Sequence, residues 1–208
     1  MGYNLLYELV LKKLNIGFID SDLLELGDQD ATVYDTALGR PRVLKLRDAG
    51  VFNAVNRYVV YDLHPREGVT VYDLSEPHET YEKFDRITNF GTTEHVEPEK
   101  GQYNCWLNVH NLLKINGMII NIVPCSDGGW PGHCRYYYNE PFFQQFKNIG
   151  YDLVFYGIAQ DLNCVSVLRK REDSRFLEEE EFWKHLVIKR ENNSDVIYHD
   201  NNPKGLKF

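Results

Sequence analysis

The chain has 208 residues with a formal net charge of −8, and 43% of its residues are hydrophobic. This composition is typical of a globular protein, and the length suits a single domain. The acidic balance argues against a general nucleic-acid binder, and no apolar run approaches the roughly 20 residues of a membrane span. The four cysteines form no CxxC pair, which favours free thiols. We therefore expect a cytoplasmic protein that binds neither nucleic acid nor membrane.

The first half of the chain predicts a helix followed by four strands. Apolar residues between positions 3 and 15 recur at helical spacing, which indicates an opening amphipathic helix. Short apolar runs bounded by turn residues predict strands at 21–27, 57–65, 69–74 and 84–90. Residues 31–56 are less regular, and we expect a turn at 39–41 and a short helix near 43–49.

The second half alternates helices and strands before a turn-rich tail. The predicted helices cover residues 102–115, 139–150 and 174–188, and the predicted strands cover 116–124, 151–159 and 162–170. The last two strands are too close in sequence for a crossover helix, so we expect them to form an antiparallel hairpin. The alternation predicts an α/β domain with a mostly parallel seven-stranded sheet and helices on both faces.

Polar residues follow each predicted strand, where an open α/β sheet binds its ligands. The first strand ends in "ELGDQD", and its Gly27 allows the backbone to approach a ligand closely. Asp62 ends the second strand, where a carboxylate can accept hydrogen bonds from both hydroxyls of a ribose. The turn at Asp73 and Leu74 ends the third strand and can present an N–H group to an adenine edge.

The order of these motifs resembles that of the class I S-adenosylmethionine-dependent methyltransferases. The similar segments are "LLELGDQD", "YVVYDLHP", "VYDLSEP", "FDRITNFGTTEHV" and "LLKINGMIINIVP". The resemblance covers about residues 20–170, so we interpret 1–208 as one methyltransferase-like domain, with the helix at 3–15 and the segment 174–208 as appendages. It implies a Rossmann-like fold and S-adenosylmethionine as the cofactor. The cofactor-binding residues that it implies are Glu25, Gly27, Asp28, Gln29, Asp62, Leu63, Asp73, Leu74, Asn89 and Phe90.

Two features depart from the pattern of that family. Its first motif is E/DxGxGxG, but here only Gly27 of the glycines is present and "DQD" fills the remaining positions. Asp28 or Asp30 could receive the ammonium group of the cofactor's methionine half. From Glu25 to Asp62 the chain runs 37 positions, compared with about 20 in the related dinucleotide fingerprint. The additional length could form a lid or an acceptor loop.

Two histidines are candidates for the catalytic base. His95 closes the motif after the fourth strand and His133 follows the fifth, and imidazole titrates near neutral pH. The alternatives are a bracing role for His95 and a plain surface position for His133. Some O-methyltransferases that resemble this chain hold a metal on an ExxEH pattern, but Gly91 stands at the first ligand position here, so we predict no metal.

The resemblance implies methyl transfer to an oxygen or nitrogen of a small molecule or sugar. The first alternative is a methyltransferase-fold protein that has lost catalysis and serves as a binding or scaffold module, which the altered glycine motif supports. The second alternative is a methyltransferase that acts on protein or nucleic acid. The acidic charge and the small size argue against a nucleic-acid substrate.

Overall fold

The computed structural model describes residues 11–52, 54–79, 82–127, 132–159, 163–189 and 196–198. Its strands are β1 (Asp22–Leu26), β2 (Asp30–Asp35), β3 (Arg40–Lys45), β4 (Arg57–Asp62), β5 (Thr70–Val71), β6 (Phe84–Phe90), β7 (Leu113–Pro124), β8 (Tyr136–Tyr137), β9 (Tyr151–Ala159), β10 (Asn163–Lys170), β11 (Val187–Lys189) and β12 (Val196–Tyr198). Its helices are α1 (Glu99–Leu112), α2 (Glu140–Gln144) and α3 (Glu179–Trp183).

Seven strands form the central sheet in the order β5-β4-β1-β6-β7-β10-β9. The first five strands in this order, which end with β7, are parallel to one another. Strand β10 is antiparallel to both β7 and β9. The predicted fold class, with its antiparallel edge hairpin, is therefore confirmed. In β1, Leu24 and Leu26 point to one face and Leu23 to the other, and all three are fully buried. Burial on both faces explains why this strand is a continuous apolar run.

The helices α1, α2 and α3 pack on one face of the sheet. Trp106 of α1, Phe142 of α2 and Phe182 of α3 belong to the same core cluster. The predicted cap of the 139–150 helix is present, because the Asn139 side chain accepts a hydrogen bond of 2.9 Å from Phe142 N. This segment begins as α2, continues as a 3₁₀ turn and ends at Gly150, whose φ is +74°.

The opposite face is covered by residues 11–18 and by described residues of the segment between β1 and β4. Leu11, in a helical turn at 11–13, packs there with Ala31, Leu46 and Phe52. The part of the predicted opening helix that precedes residue 11 lies outside the described residues.

The prediction of a short helix near residues 43–49 is wrong. Residues 30–45 form an antiparallel hairpin of β2 and β3, and only Leu46–Asp48 form a 3₁₀ turn. Gly39, with φ at +63°, lies in the turn that joins the two strands. Every residue from 27 to 52 is described, and none lies in an α-helix. The chain therefore builds a hairpin directly after β1.

Other boundaries differ from the expectations for identifiable reasons. The helix expected at 102–115 is α1, which begins and ends three residues earlier, so β7 begins at Leu113 instead of residue 116. The strand expected at 69–74 is shortened to β5, because the Asp73 side chain folds the chain into a turn. The helix expected at 174–188 is limited to α3, and β11 then pairs with β8 and β12. No helix among the described residues is long and apolar enough to cross a membrane.

Candidate functional site

The side chains of Gln29 and Thr92 lie over the loop that follows β1. Gly27 has φ at +74°, and a Cβ atom at this position would lie 2.5 Å from Thr92 Oγ1 and 2.6 Å from Gln29 Nε2. Gln29 Nε2 donates a hydrogen bond of 2.9 Å to Thr92 Oγ1, which itself donates to Leu26 O at 2.6 Å. The position therefore requires glycine, and the space beside it is occupied by the chain's own polar side chains.

Glu25 lies beneath this loop with 1% of its surface exposed. Its carboxylate accepts hydrogen bonds from Tyr58 Oη and, at 2.7 Å, from Gln29 N. Burial raises the pKa of Glu25 to about 7, although both of these hydrogen bonds favour the charged form. Glu25 thus braces the loop from inside the protein.

Asp28 is a buried carboxylate that three cations surround. Arg47 Nη1 lies 2.5 Å from Asp28 Oδ1, while Arg66 Nη1 and Lys45 Nζ lie 3.0 Å and 3.4 Å from Asp28 Oδ2. Lys45 and Arg47 belong to the hairpin and to the 3₁₀ turn after it, so the inserted residues supply the charges that compensate Asp28. The Asp28 carboxylate is neutralised within the chain.

Asp62 ends β4 next to this loop, and its carboxylate can accept further hydrogen bonds. Its Oδ2 accepts from Asp28 N at 2.9 Å and its Oδ1 accepts from His64 N at 2.8 Å. Burial disfavours the charged form, but these two N–H groups outweigh it and lower the pKa of Asp62 below its ordinary value. An ionised carboxylate offers about four acceptor positions, so two remain. Leu63, which follows it, is 57% exposed.

The turn at Asp73 lies beside the end of β4, since Tyr72 N donates to Asp62 O at 3.0 Å. The Asp73 carboxylate accepts from the backbone N and the hydroxyl of Ser75 at 2.9 Å and 2.7 Å. Leu74 is buried, and its carbonyl accepts from the Asn108 side chain at 3.1 Å. These contacts shape the turn itself.

Asn89 and Phe90 are both buried within the sheet. The Asn89 side-chain amide donates to Thr93 Oγ1 at 2.9 Å and to Asn121 Oδ1 at 3.0 Å, and its carbonyl accepts from Thr93 N. Phe90 belongs to the core cluster on the hairpin side of the sheet. Asn89 thus ties β6 to β7 and fixes the start of the turn that follows.

That turn brings Glu94 and His95 to His133, and we call these three residues the histidine cluster. The rings of His95 and His133 lie 4.9 Å apart at 77°, and Glu94 Oε1 lies 3.9 Å from His95 Nε2. Burial raises the pKa of Glu94 to about 8 and lowers the pKa of His95 to about 4, with His133 adding to the second effect. Burial also lowers the pKa of His133. One nitrogen or oxygen from each residue lies within 4.8 Å of the others.

Sequence reasoning considered Glu94 and His95 together, as the last two residues of the ExxEH pattern, but did not join His133 to them. A signal for this was present, because Glu94 and His95 follow β6 and His133 follows β7. Neighbouring parallel strands place the residues after their carboxyl ends at the same edge of the sheet. The cluster was therefore predictable from the strand order, once β6 and β7 were known to be adjacent.

No protein-family model and no curated protein matches the sequence. Solved structures are similar, and one is the N-methyltransferase NodS from Bradyrhizobium japonicum WM9, in complex with S-adenosyl-L-homocysteine. It has a TM-score of 0.53 and 16% identity, over 80% of this chain and 85% of that one. Another is the 1,6-didemethyltoxoflavin-N1-methyltransferase from Burkholderia thailandensis, with bound 1,6-didemethyltoxoflavin and S-adenosylhomocysteine. Its TM-score is 0.54 with 16% identity, over 79% of this chain and 76% of that one. The chain thus has the fold of the class I S-adenosylmethionine-dependent methyltransferases.

Proposed function

We propose that this chain is an S-adenosylmethionine-dependent methyltransferase that acts on an oxygen or nitrogen of a small molecule or sugar. The observation that carries the proposal is Asp62. Its carboxylate stands at the end of the strand next to β1, in its charged form, with two acceptor positions left. A ribose with two adjacent hydroxyls fits such a carboxylate. Two proteins of similar fold, described above, are solved with S-adenosylhomocysteine.

The residues of the first loop fit the cofactor on one condition. The side-chain end of Gln29 lies over Gly27, but Gln29 is half-buried and its end is flexible. It can rotate outward without moving the backbone, which the hydrogen bond from Gln29 N to Glu25 holds in place. With Gln29 turned outward, one of the two side chains over Gly27 is removed, and Thr92, which donates to Leu26 O, remains beside the ligand position.

When bound, the cofactor supplies a methyl group that its sulfonium already activates, so orientation of the acceptor accounts for most of the rate. In this proposal the histidine cluster lies on the acceptor side. Because the pKa of His95 is about 4 and that of His133 is also lowered, both imidazoles are neutral near pH 7. A neutral imidazole nitrogen can receive the proton that an acceptor hydroxyl or amine loses.

Calorimetric titration with S-adenosylhomocysteine tests the proposal. We expect micromolar binding to the wild type and at least tenfold weaker binding to Asp62→Asn, which retains one oxygen acceptor but loses the charge. The matched control is Asp152→Asn, because Asp152 is exposed and pairs with Arg171 on β9's edge of the sheet. Its affinity should equal that of the wild type. Circular dichroism should show that all three proteins are folded.

A second function is favoured by one observation at the same place. The polar groups of Glu25, Asp28 and Gln29 all bond to other parts of the chain, as expected of a binding or scaffold module that has closed its cofactor site. Absence of S-adenosylhomocysteine binding to the folded wild type would overturn the methyltransferase proposal and support this alternative.

A further inference from the structure

We propose that the histidine cluster binds a divalent transition-metal ion through a carboxylate oxygen of Glu94 and one ring nitrogen each of His95 and His133. Metal binding itself is independent of the cofactor. The role of the metal in catalysis, which is to bind the methyl acceptor, rests on the proposed function.

The first argument is the position of the three donor atoms. They come from two segments that follow neighbouring strands, and they lie within 4.8 Å of one another. Around a tetrahedral Zn²⁺, with bonds near 2.0–2.2 Å, donor atoms are roughly 3.4 Å apart. A pair of donor atoms at that upper distance must therefore move about 1.4 Å closer together to bind one ion. The His95 side chain, which is 45% exposed, has room for that movement.

The second argument is the state of Glu94, whose side chain is completely buried. Neither of its carboxylate oxygens accepts a hydrogen bond from another residue that the structure describes. A buried carboxylate without partners is costly, and buried charges in proteins are normally paired or bound to metal. A metal ion at the histidine cluster would give the Glu94 oxygens a partner that the described residues do not supply.

The third argument is the chemistry of the donor set. Two imidazole nitrogens and one carboxylate are ligands of catalytic zinc sites and of non-haem iron sites, and both types leave coordination positions open. His133, which the sequence analysis did not group with Glu94 and His95, adds a third donor from the loop after β7. The missing ligand that led the sequence analysis to predict no metal is therefore replaced from another segment.

The open positions define what the metal would do. An acceptor hydroxyl bound there loses its proton to solvent more readily, because the ion stabilises the charge on oxygen. The oxygen then forms a bond to the methyl carbon while the bond from that carbon to sulfur breaks. The sulfur keeps the electron pair, so the products are the methyl ether and S-adenosylhomocysteine. The substrate class that fits is a small molecule or sugar with a hydroxyl that can reach the metal.

Titration of chelator-treated protein with Zn²⁺, in the absence of any cofactor, tests the metal site. We expect one ion per chain with micromolar or tighter affinity, and at least thirtyfold weaker binding to His133→Ala. The matched control is His64→Ala, because the His64 side chain is exposed and lies at the end of β4; its affinity should equal that of the wild type. Glu94→Gln should lose binding to a similar degree as His133→Ala. Mn²⁺, titrated in the same way, should show the same ranking of the variants.

Equal Zn²⁺ affinity in the wild type and in folded His133→Ala would overturn the proposal, as would the absence of binding to the folded wild type. His133→Ala keeps the test decisive if Glu94→Gln fails to fold, since His133 is only half-buried. The S-adenosylhomocysteine titration is a separate measurement. Loss of Zn²⁺ binding with cofactor binding intact would reject the metal site alone, and the reverse result would reject the methyltransferase function alone.

Discussion

Two polar regions at the same edge of the sheet differ in whether their buried carboxyl groups are bonded to other residues of the chain. In the first, which comprises Glu25, Asp28 and Gln29, each side chain bonds to other residues of the chain. In the histidine cluster, Glu94 is equally buried but has no hydrogen-bond partner among the other described residues. The first region is therefore completed by folding, whereas the second leaves a buried carboxyl group without a partner among the other described residues, which an external cation can bind.

The inserted hairpin explains why the first region is complete. Here β3 and the 3₁₀ turn that follows bring Lys45 and Arg47 to Asp28. The 37 positions from Glu25 to Asp62 thus include the residues that fill and neutralise the loop.

The largest expected effect comes from removing the charge at the centre of the first region. Asp28→Ala leaves Lys45, Arg47 and Arg66 without their shared carboxylate. Breaking a buried ion pair from one side costs about 3–5 kcal/mol, and we expect the lower end, near about 3 kcal/mol, because the three cations reach solvent. Urea denaturation, followed by circular dichroism, measures the change in the free energy of unfolding.

The control for this substitution is Asp30→Ala. Asp30 pairs with Lys45 at 2.8 Å, but its side chain is 57% exposed. An exposed ion pair contributes no more than about 1 kcal/mol, so Asp30→Ala should cost far less than Asp28→Ala. Similar losses in the two variants would show that the first region does not depend on the charges that the hairpin supplies.

The second effect is a pH dependence at Glu25. Its pKa is raised from 4.5 to about 7 in the folded protein, so the folded state holds its proton more tightly than the unfolded state. The stability that this proton provides is present below pH 4.5 and is lost as the pH rises through 7. The neighbouring charged or titratable groups are Tyr58, Asp28 and Arg47, and their effects are included in that value.

Glu25→Gln removes this titration while it keeps an acceptor for Gln29 N. The variant should gain about 2.5 kcal/mol of stability relative to the wild type between pH 5 and pH 8. Urea midpoints at the two pH values measure that gain. Glu82→Gln is the control, because Glu82 also accepts a hydrogen bond from a tyrosine, Tyr61, but its side chain is 38% exposed. A constant difference between Glu25→Gln and the wild type across this range would contradict the assignment.

The sequence predicted the sheet and its edge hairpin because apolar strands and turn residues are local signals. It missed the β2–β3 hairpin, whose strands are mostly exposed and therefore lack a run of buried residues; β3 is exposed at its first four positions. It placed a helix over residues 174–188, where β11 forms because Val187 pairs with Tyr137 from a distant segment. Long-range pairing of this kind overrides local propensity.

The sequence predicted which candidate residues follow the strands. It did not predict which other residues they contact. Asp62 stands where the motif order placed it, at the end of a strand next to β1. The partners of Asp28 are 17 to 38 positions away in sequence, and no local pattern relates a buried carboxylate to cations at that distance. The meeting of Glu94 with His133 depends on the adjacency of β6 and β7, which the family order implies.

The smallest expected effect tests whether the first region can be reopened. Gln29→Gly restores a glycine at the position where the family pattern has its second one, and it removes the side chain that lies over Gly27. If the site binds the cofactor as proposed, the variant should bind S-adenosylhomocysteine about tenfold more tightly, which corresponds to about 1.4 kcal/mol. Its free energy of unfolding should fall by about 1 kcal/mol, because the hydrogen bond to Thr92 is lost.

Thr92→Val separates the space that Gln29 occupies from the hydrogen bond that holds it. Valine has nearly the same shape as threonine but does not accept the bond from Gln29 Nε2, so the Gln29 side chain stays in the protein without that contact. If space limits binding, Thr92→Val should bind S-adenosylhomocysteine much less tightly than Gln29→Gly. Calorimetry on the two variants measures this difference. Unchanged or weaker binding by Gln29→Gly would mean that the closed loop is not a barrier to the cofactor. The two regions would then differ only in whether their buried carboxyl groups are bonded to other residues.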